Sequence, residues 1–97
     1  MEENTFYPNT PCLECTQKHF CTALSLANEF SYSDENEAFV IGELGCAILH
    51  CMVEYPDLAS RIREARHFVQ DETPEKVDWQ GIYKIIKKKI NEENSGN

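Results

Sequence analysis

The stretch PCLECTQKHFCTALSLANEFSYSDENEAFVIGELGCAILHCMVEY, residues 11–55, decides the fold. It holds two long helical patterns separated by SYSDENE, residues 31–37, a run of Ser, Asp and Asn that favours a turn. In the first pattern, residues 11–30, an advance of 100° per residue gathers Leu13, Phe20, Ala23, Leu24, Ala27 and Phe30 on one side. Glu14, Gln17, Lys18 and Asn28 point away from that side, so the segment reads as an amphipathic helix. Thr10 is placed to cap it, Pro11 to open its first turn, and Glu14 to meet the positive end of its dipole.

The second pattern, residues 36–55, is apolar nearly all round, with Ala38, Phe39, Val40, Ile41, Leu44, Ile48, Leu49, Met52 and Val53. Glu43, His50 and Glu54 form its one narrow polar stripe. Such a helix belongs in the middle of a bundle or against another chain. Gly42 and Gly45 lower its intrinsic propensity by roughly 1 kcal/mol each relative to alanine, which points to a close helix crossing there. A short turn between the two helices makes them antiparallel neighbours.

Working outward, Pro56 breaks the run and starts a third helix over residues 57–70, with Leu58, Ile62, Ala65 and Val69 inward. Thr73-Pro74 reads as the start of a fourth, in which Trp79, Ile82, Tyr83, Ile86 and Ile90 make a tight stripe backed by lysines. No segment alternates at period two for long enough to make a strand, and there is no internal repeat. The expected fold is all-α, a three- or four-helix bundle built on an N-terminal antiparallel helical hairpin. It forms one domain over residues 1–97, with residues 1–10 and 92–97 as flexible tails.

A chain of 97 residues sits near the lower end of what buries an adequate core unaided, so a metal or a partner would help it. It begins MEENTFYPN, with no basic start and apolar core of a secretory signal, and its apolar region at 38–53 is interrupted by Glu43 and His50. The expectation is a cytoplasmic protein that does not enter a membrane. Five cysteines, an odd number, then point to thiols or metal ligands rather than a disulfide framework.

The net charge of −8 is unevenly spread: residues 1–60 carry ten acids against Lys18 alone, whereas the remainder carries eight basic residues and seven acidic ones. An acidic front half repels phosphate, which argues against nucleic acid as a partner. Only the C-terminal cluster Lys84, Lys87, Lys88 and Lys89 could touch it.

The chemistry-bearing residues are Cys12, Cys15 and His19 on the first helix and Cys46, His50 and Cys51 on the second. In an antiparallel hairpin turning through 31–37, residues whose numbers add to about 66 lie level. Cys15 then meets Cys51 and His50, and His19 comes within one position of Cys46. Zinc takes four N or S ligands in a tetrahedron, and Cys12, Cys15, His19 and His50 supply a Cys2His2 set, with Cys46 or Cys51 as substitutes for His50. One tension is internal: on an unbroken helix Cys12 and His19 lie roughly 10.5 Å apart along the axis, so zinc suits a Cys12 placed just before the helix.

The competing reading makes the cysteines small buried hydrophobes and puts His50 on a solvated stripe with Glu43 and Glu54. Thioredoxin-like chemistry also uses C-x-x-C at a helix start, but it embeds the motif among strands that are missing here. Four thiolates at iron–sulfur spacing, Glu-x-x-His pairs, a G-x-S-x-G elbow and a glycine-rich phosphate loop are all missing from the sequence, so no enzyme is expected.

The pattern C-x-x-C-x-x-K-H with an alanine four residues on (Cys12, Cys15, Lys18, His19, Ala23), then V-I-G-E-L and I-R-E-A-R, resembles small uncharacterised proteins of bacteriophages and prophages. The similarity covers residues 12–69 and implies a viral or mobile-element setting, host cytoplasm or virion, with assembly or host interaction as the natural role. The expected function is a non-enzymatic interaction or assembly module, stapled by zinc or simply packed. It would bind another protein or itself through the second helix or through Trp79, Tyr83 and Ile86. The alternative is a small nucleic-acid-associated regulator using the lysine cluster.

Overall fold

The computed structural model describes residues 12–29 and 34–95. Four helices follow one another: α1 (Leu13–Glu29), α2 (Asp34–Cys51), α3 (Pro56–Gln70) and α4 (Trp79–Ser95), with a single 3-10 turn at Pro74–Lys76 before the last. There is no strand among the described residues, so the all-α bundle stands. Neighbours run round a ring: α1 packs on α2 and on α4, and α3 packs on α2 and on α4. Each helix therefore gives about half of its circumference to the core and the other half to the outside.

The inner halves carry the residues that periodicity selects. Phe20, Leu44, Leu58, Ile62 and Ile86 are fully buried, joined by Val40, Val69, Ala23 and Ala47. Burying one large side chain of this kind contributes roughly 1.5–3 kcal/mol, so these positions dominate the stability. Phe20 of α1 lies against Trp79 of α4, with ring centres 5.6 Å apart and planes tilted by 47°, an arrangement that suits the ring quadrupoles.

Helix boundaries show which local signals govern. α1 begins at Leu13 and Cys12 takes the capping position: its Sγ accepts the N–H of Cys15 at 3.1 Å and its carbonyl accepts the N–H of Thr16. Thr10 and Pro11, expected to open the helix, lie outside the described residues, as do residues 1–10 expected to form a tail. Pro56 does start α3. Glu72 ends it in the left-handed region at φ 62°, where Thr73 N–H reaches the Phe68 carbonyl and Glu72 N–H that of Val69.

Thr73-Pro74 starts only the 3-10 turn. α4 begins five residues later, where the Asp78 carboxylate accepts the N–H of Gly81 at 3.1 Å, an N-cap that the Thr-Pro signal concealed. At the other end α4 continues to Ser95, so residues 92–95 are helical rather than part of a tail, and Glu93 accepts a hydrogen bond from Tyr55.

The glycines of α2 are not where a helix crosses. A Cβ at Gly42 would meet nothing within 4 Å, and one at Gly45 would lie 3.9 Å from Arg66 Nη1 of α3, an ordinary contact. Both sit towards the outside of the ring rather than in its core.

Candidate functional site

The corner where α1 begins and α2 ends carries most of the thiols and imidazoles. The Cys12 N–H donates to the His50 carbonyl at 2.9 Å, and the Thr16 hydroxyl donates to the Cys12 carbonyl at 2.9 Å while lying 3.5 Å from that of Ala47. One turn further, His19 Nδ1 and Glu43 Oε1 are 2.7 Å apart. These contacts join residues whose numbers add to 62 or 63 rather than 66, because α2 begins at Asp34 and the hairpin turns earlier than the polar run implies. A shift of four in that sum is about one helical turn. It moves His19 from the level of Ala47 to that of Glu43.

The donors consequently fall into pairs. Cys12 Sγ and Cys15 Sγ are 2.7 Å apart. His19 pairs with Glu43 and stacks on His50, with ring centres 5.6 Å apart and planes within 6° of parallel. Cys46 is half-buried, and Cys51 is fully buried in the core. Among the described residues no group of three or more His, Cys, Asp or Glu side chains is arranged to hold a metal ion. Two thiolates on one tetrahedral zinc sit about 3.8 Å apart, set by Zn–S of 2.3 Å, against the 2.7 Å between the Cys12 and Cys15 sulfurs. A zinc ion on Cys12, Cys15, His19 and His50 would require those sulfurs to part, whereas the His19 contact with Glu43 is made through Nδ1 and leaves Nε2 open. His50 and Glu43, given to a solvated stripe by the competing reading, instead face α1.

The cysteines differ in environment. Burial pushes the Cys51 thiol up to about 11, partly offset by its hydrogen bond with the Thr16 hydroxyl. Cys15 is raised mainly by its hydrogen bond with Cys12 and then by burial, and Cys21 is raised by burial against the opposing charge of Lys87.

Neither proposed contact surface of α4 is laid out as the sequence suggests. Ile86 is fully buried, Trp79 lies half-buried against Phe20, and Tyr83 packs half-buried against the core, so much of the aromatic stripe is engaged within the bundle. Lys84, Lys87 and Lys88 do border one shallow surface with Tyr83 and Asn91. Lys89 departs from them: its Nζ lies 3.3 Å from the Asp57 carboxylate and 5.3 Å from the centre of the Tyr55 ring. The cluster of four is thus three exposed cations and one engaged in tying α4 to the start of α3.

What sequence reading did not locate is the outer half of α2. Phe39 is 63% exposed, Val53 61%, Met52 41% and Leu49 39%, and Gly42 lies open among them. At 100° per residue Phe39, Gly42, Cys46 and Leu49 form one continuous stripe with no charged side chain in it, and Met52 and Val53 extend the apolar surface into the turn after α2. Glu43, tied to His19 of α1, borders it on one side, and Arg66 of α3, lying over Gly45, borders it on the other. The signal was present as the near-absence of polar residues in 38–53, but periodicity cannot say which half of such a helix faces out.

Comparison with protein-family models, with curated protein sequences and with solved structures gives no match. Among the described residues no helix is long and apolar enough to cross a membrane.

Proposed function

We propose that the protein is a non-enzymatic interaction and assembly module that docks through the outer half of α2, with a second copy of the chain as its first partner. The observation that carries the reading is the run of exposed large apolar side chains, Phe39 and Leu49 on a helix that the ring of four leaves half open and Met52 and Val53 in the turn just after it. Contiguous apolar surface of this kind on a small soluble domain marks a contact site rather than ordinary surface.

A two-fold axis running along α2 suits its borders. It places the Glu43 side of one copy opposite the Arg66 side of the other, whereas an antiparallel arrangement sets like charge against like. Gly42 lets the two helices approach closely. This role accords with the assembly or host-interaction setting that the phage-like motif implies, and it needs neither a metal nor a catalytic group.

Light scattering over a wide range of protein concentration tests the reading, with Leu49→Lys and Phe39→Lys as variants. Both positions are exposed, so the monomer should fold as before by circular dichroism, while association shifts to higher concentration by at least about tenfold, which is 1.4 kcal/mol. A wild type that stays monomeric throughout, or variants that associate as the wild type does, would refute self-docking by this face.

A further inference from the structure

We infer that Cys12 and Cys15 form a reversible dithiol–disulfide couple, oxidised by a low-molecular-weight disulfide of the glutathione class. The juxtaposition is specific. Cys12 caps α1, its Sγ accepts the Cys15 N–H at 3.1 Å, and its sulfur is 2.7 Å from that of Cys15. That separation is well inside the roughly 3.8 Å that a shared zinc imposes and needs only a small further approach to reach the 2.05 Å of a bond. Both side chains are half-buried, and Cys12 opens onto a shallow depression bordered by Leu13, Glu14, Ile90 and Glu93, so a small disulfide can reach it.

The chemistry is a two-step exchange. The Cys12 thiolate attacks one sulfur of the external disulfide, forming a mixed disulfide and releasing one small thiolate, which takes up the proton Cys12 gave to solvent. Cys15 then loses its proton to solvent and attacks Cys12 Sγ. The bond to the small molecule breaks and the second small thiolate leaves. Two electrons pass from the cysteine pair to the external disulfide, which becomes two thiols.

Cys12 is the attacking sulfur because it caps α1, receives the Cys15 N–H and opens onto the depression, with Cys15 behind it to resolve the mixed disulfide. The bond closes the first turn of α1 next to the Cys12 N–H contact with the His50 carbonyl, so the redox state bears on the corner where α1 meets α2. The other three cysteines serve as internal controls: Cys51 is buried, Cys46 lies on the outer stripe of α2, and Cys21 faces Lys87.

The test treats the whole chain with oxidised and reduced glutathione at defined ratios, quenches it by alkylation in denaturant so that every remaining thiol reacts, and maps it by tryptic mass spectrometry. Cys12 and Cys15 lie in one peptide that ends at Lys18. As the oxidant rises, that peptide should lose two hydrogens and become resistant to alkylation, and the thiols that can be alkylated should fall from five to three. Cys15→Ser should trap one glutathione on Cys12, and Cys12→Ser should slow the reaction of Cys15 at least about tenfold. Serine caps a helix well, so the Cys12→Ser chain keeps its first turn.

A peptide that keeps both thiols at high oxidant, or carries two glutathiones, overturns the inference. So does a purified protein holding one zinc per chain that blocks both sulfurs and is lost with Cys15→Ser. Each of these results leaves the docking role of α2 standing, since Cys12 and Cys15 lie outside its outer stripe.

Discussion

Replacing Gly42 with alanine should stabilise the protein. Glycine in a helix interior costs about 0.8–1.0 kcal/mol relative to alanine, because it loses more backbone freedom on folding. Ordinarily a neighbouring helix that needs the space withdraws this gain. At Gly42 a built Cβ meets nothing within 4 Å, so the full difference should appear in the folded monomer. In urea this moves the unfolding midpoint up by roughly 0.5–1 M at an unchanged slope, and in a thermal scan of a domain this size by about 4–8 °C.

Gly81→Ala makes an internal contrast: there the new Cβ lands on the Asp78 carboxylate and displaces the N-cap of α4. Losing a cap costs about 1 kcal/mol, which offsets the propensity gain and leaves stability nearly unchanged. Equal gains at the two sites, or a loss at Gly42 in dilute protein, would refute the argument that the outer half of α2 is open in the single chain. A Gly42→Ala chain that is more stable when dilute but associates less than wild type is the outcome the docking reading expects.

Three further outcomes follow from the packing. Phe20→Ala removes a fully buried ring that lies against Trp79 and should cost about 3–5 kcal/mol, read by urea unfolding with Trp79 fluorescence; a loss below about 1 kcal/mol would place Phe20 outside the core. Glu72→Gly relieves a left-handed residue after α3 and should raise stability by roughly 0.5–1 kcal/mol, whereas a loss would mean that the Glu72 side chain is worth more than the strain.

For Cys51, whose thiol is raised to about 11 from an ordinary value near 9, the neutral form is the one the fold prefers. Its contribution is complete below the unfolded value and lost as pH rises from about 9 to about 11, so unfolding free energy should fall over that window, less steeply in Cys51→Ala. Burial both raises this thiol and shields it, so at pH 8 Cys51 should be the last cysteine alkylated in the folded chain.

Sequence by itself determined the helices. The apolar period in 13–27 and 58–69, and the proline at Pro56, are signals carried within one turn or a few, and they locate α1 and α3 to within a residue or two. Local signals were weaker where two compete. Thr-Pro at 73–74 and the Asp78 cap are both good starts, and the chain uses the first for a 3-10 turn and the second for α4. Cys12 caps α1 because its own sulfur takes the Cys15 N–H and its carbonyl the Thr16 N–H.

Tertiary structure alone decided the register and the faces. The thiols and imidazoles of α1 and α2 do meet at one corner, as an antiparallel hairpin requires. A hairpin that turns earlier shifts one helix past the other by about a turn, and that shift set His19 against Glu43 and left Cys12 with Cys15. Nothing local fixes that turn, because it depends on which pairing buries Phe20, Leu44 and Ala47 together. The same holds for the two apolar stripes. Trp79, Tyr83 and Ile86 are drawn inward because α4 closes the ring on α1 and α3, and the outer half of α2 is left apolar because a ring of four covers only one side of each helix.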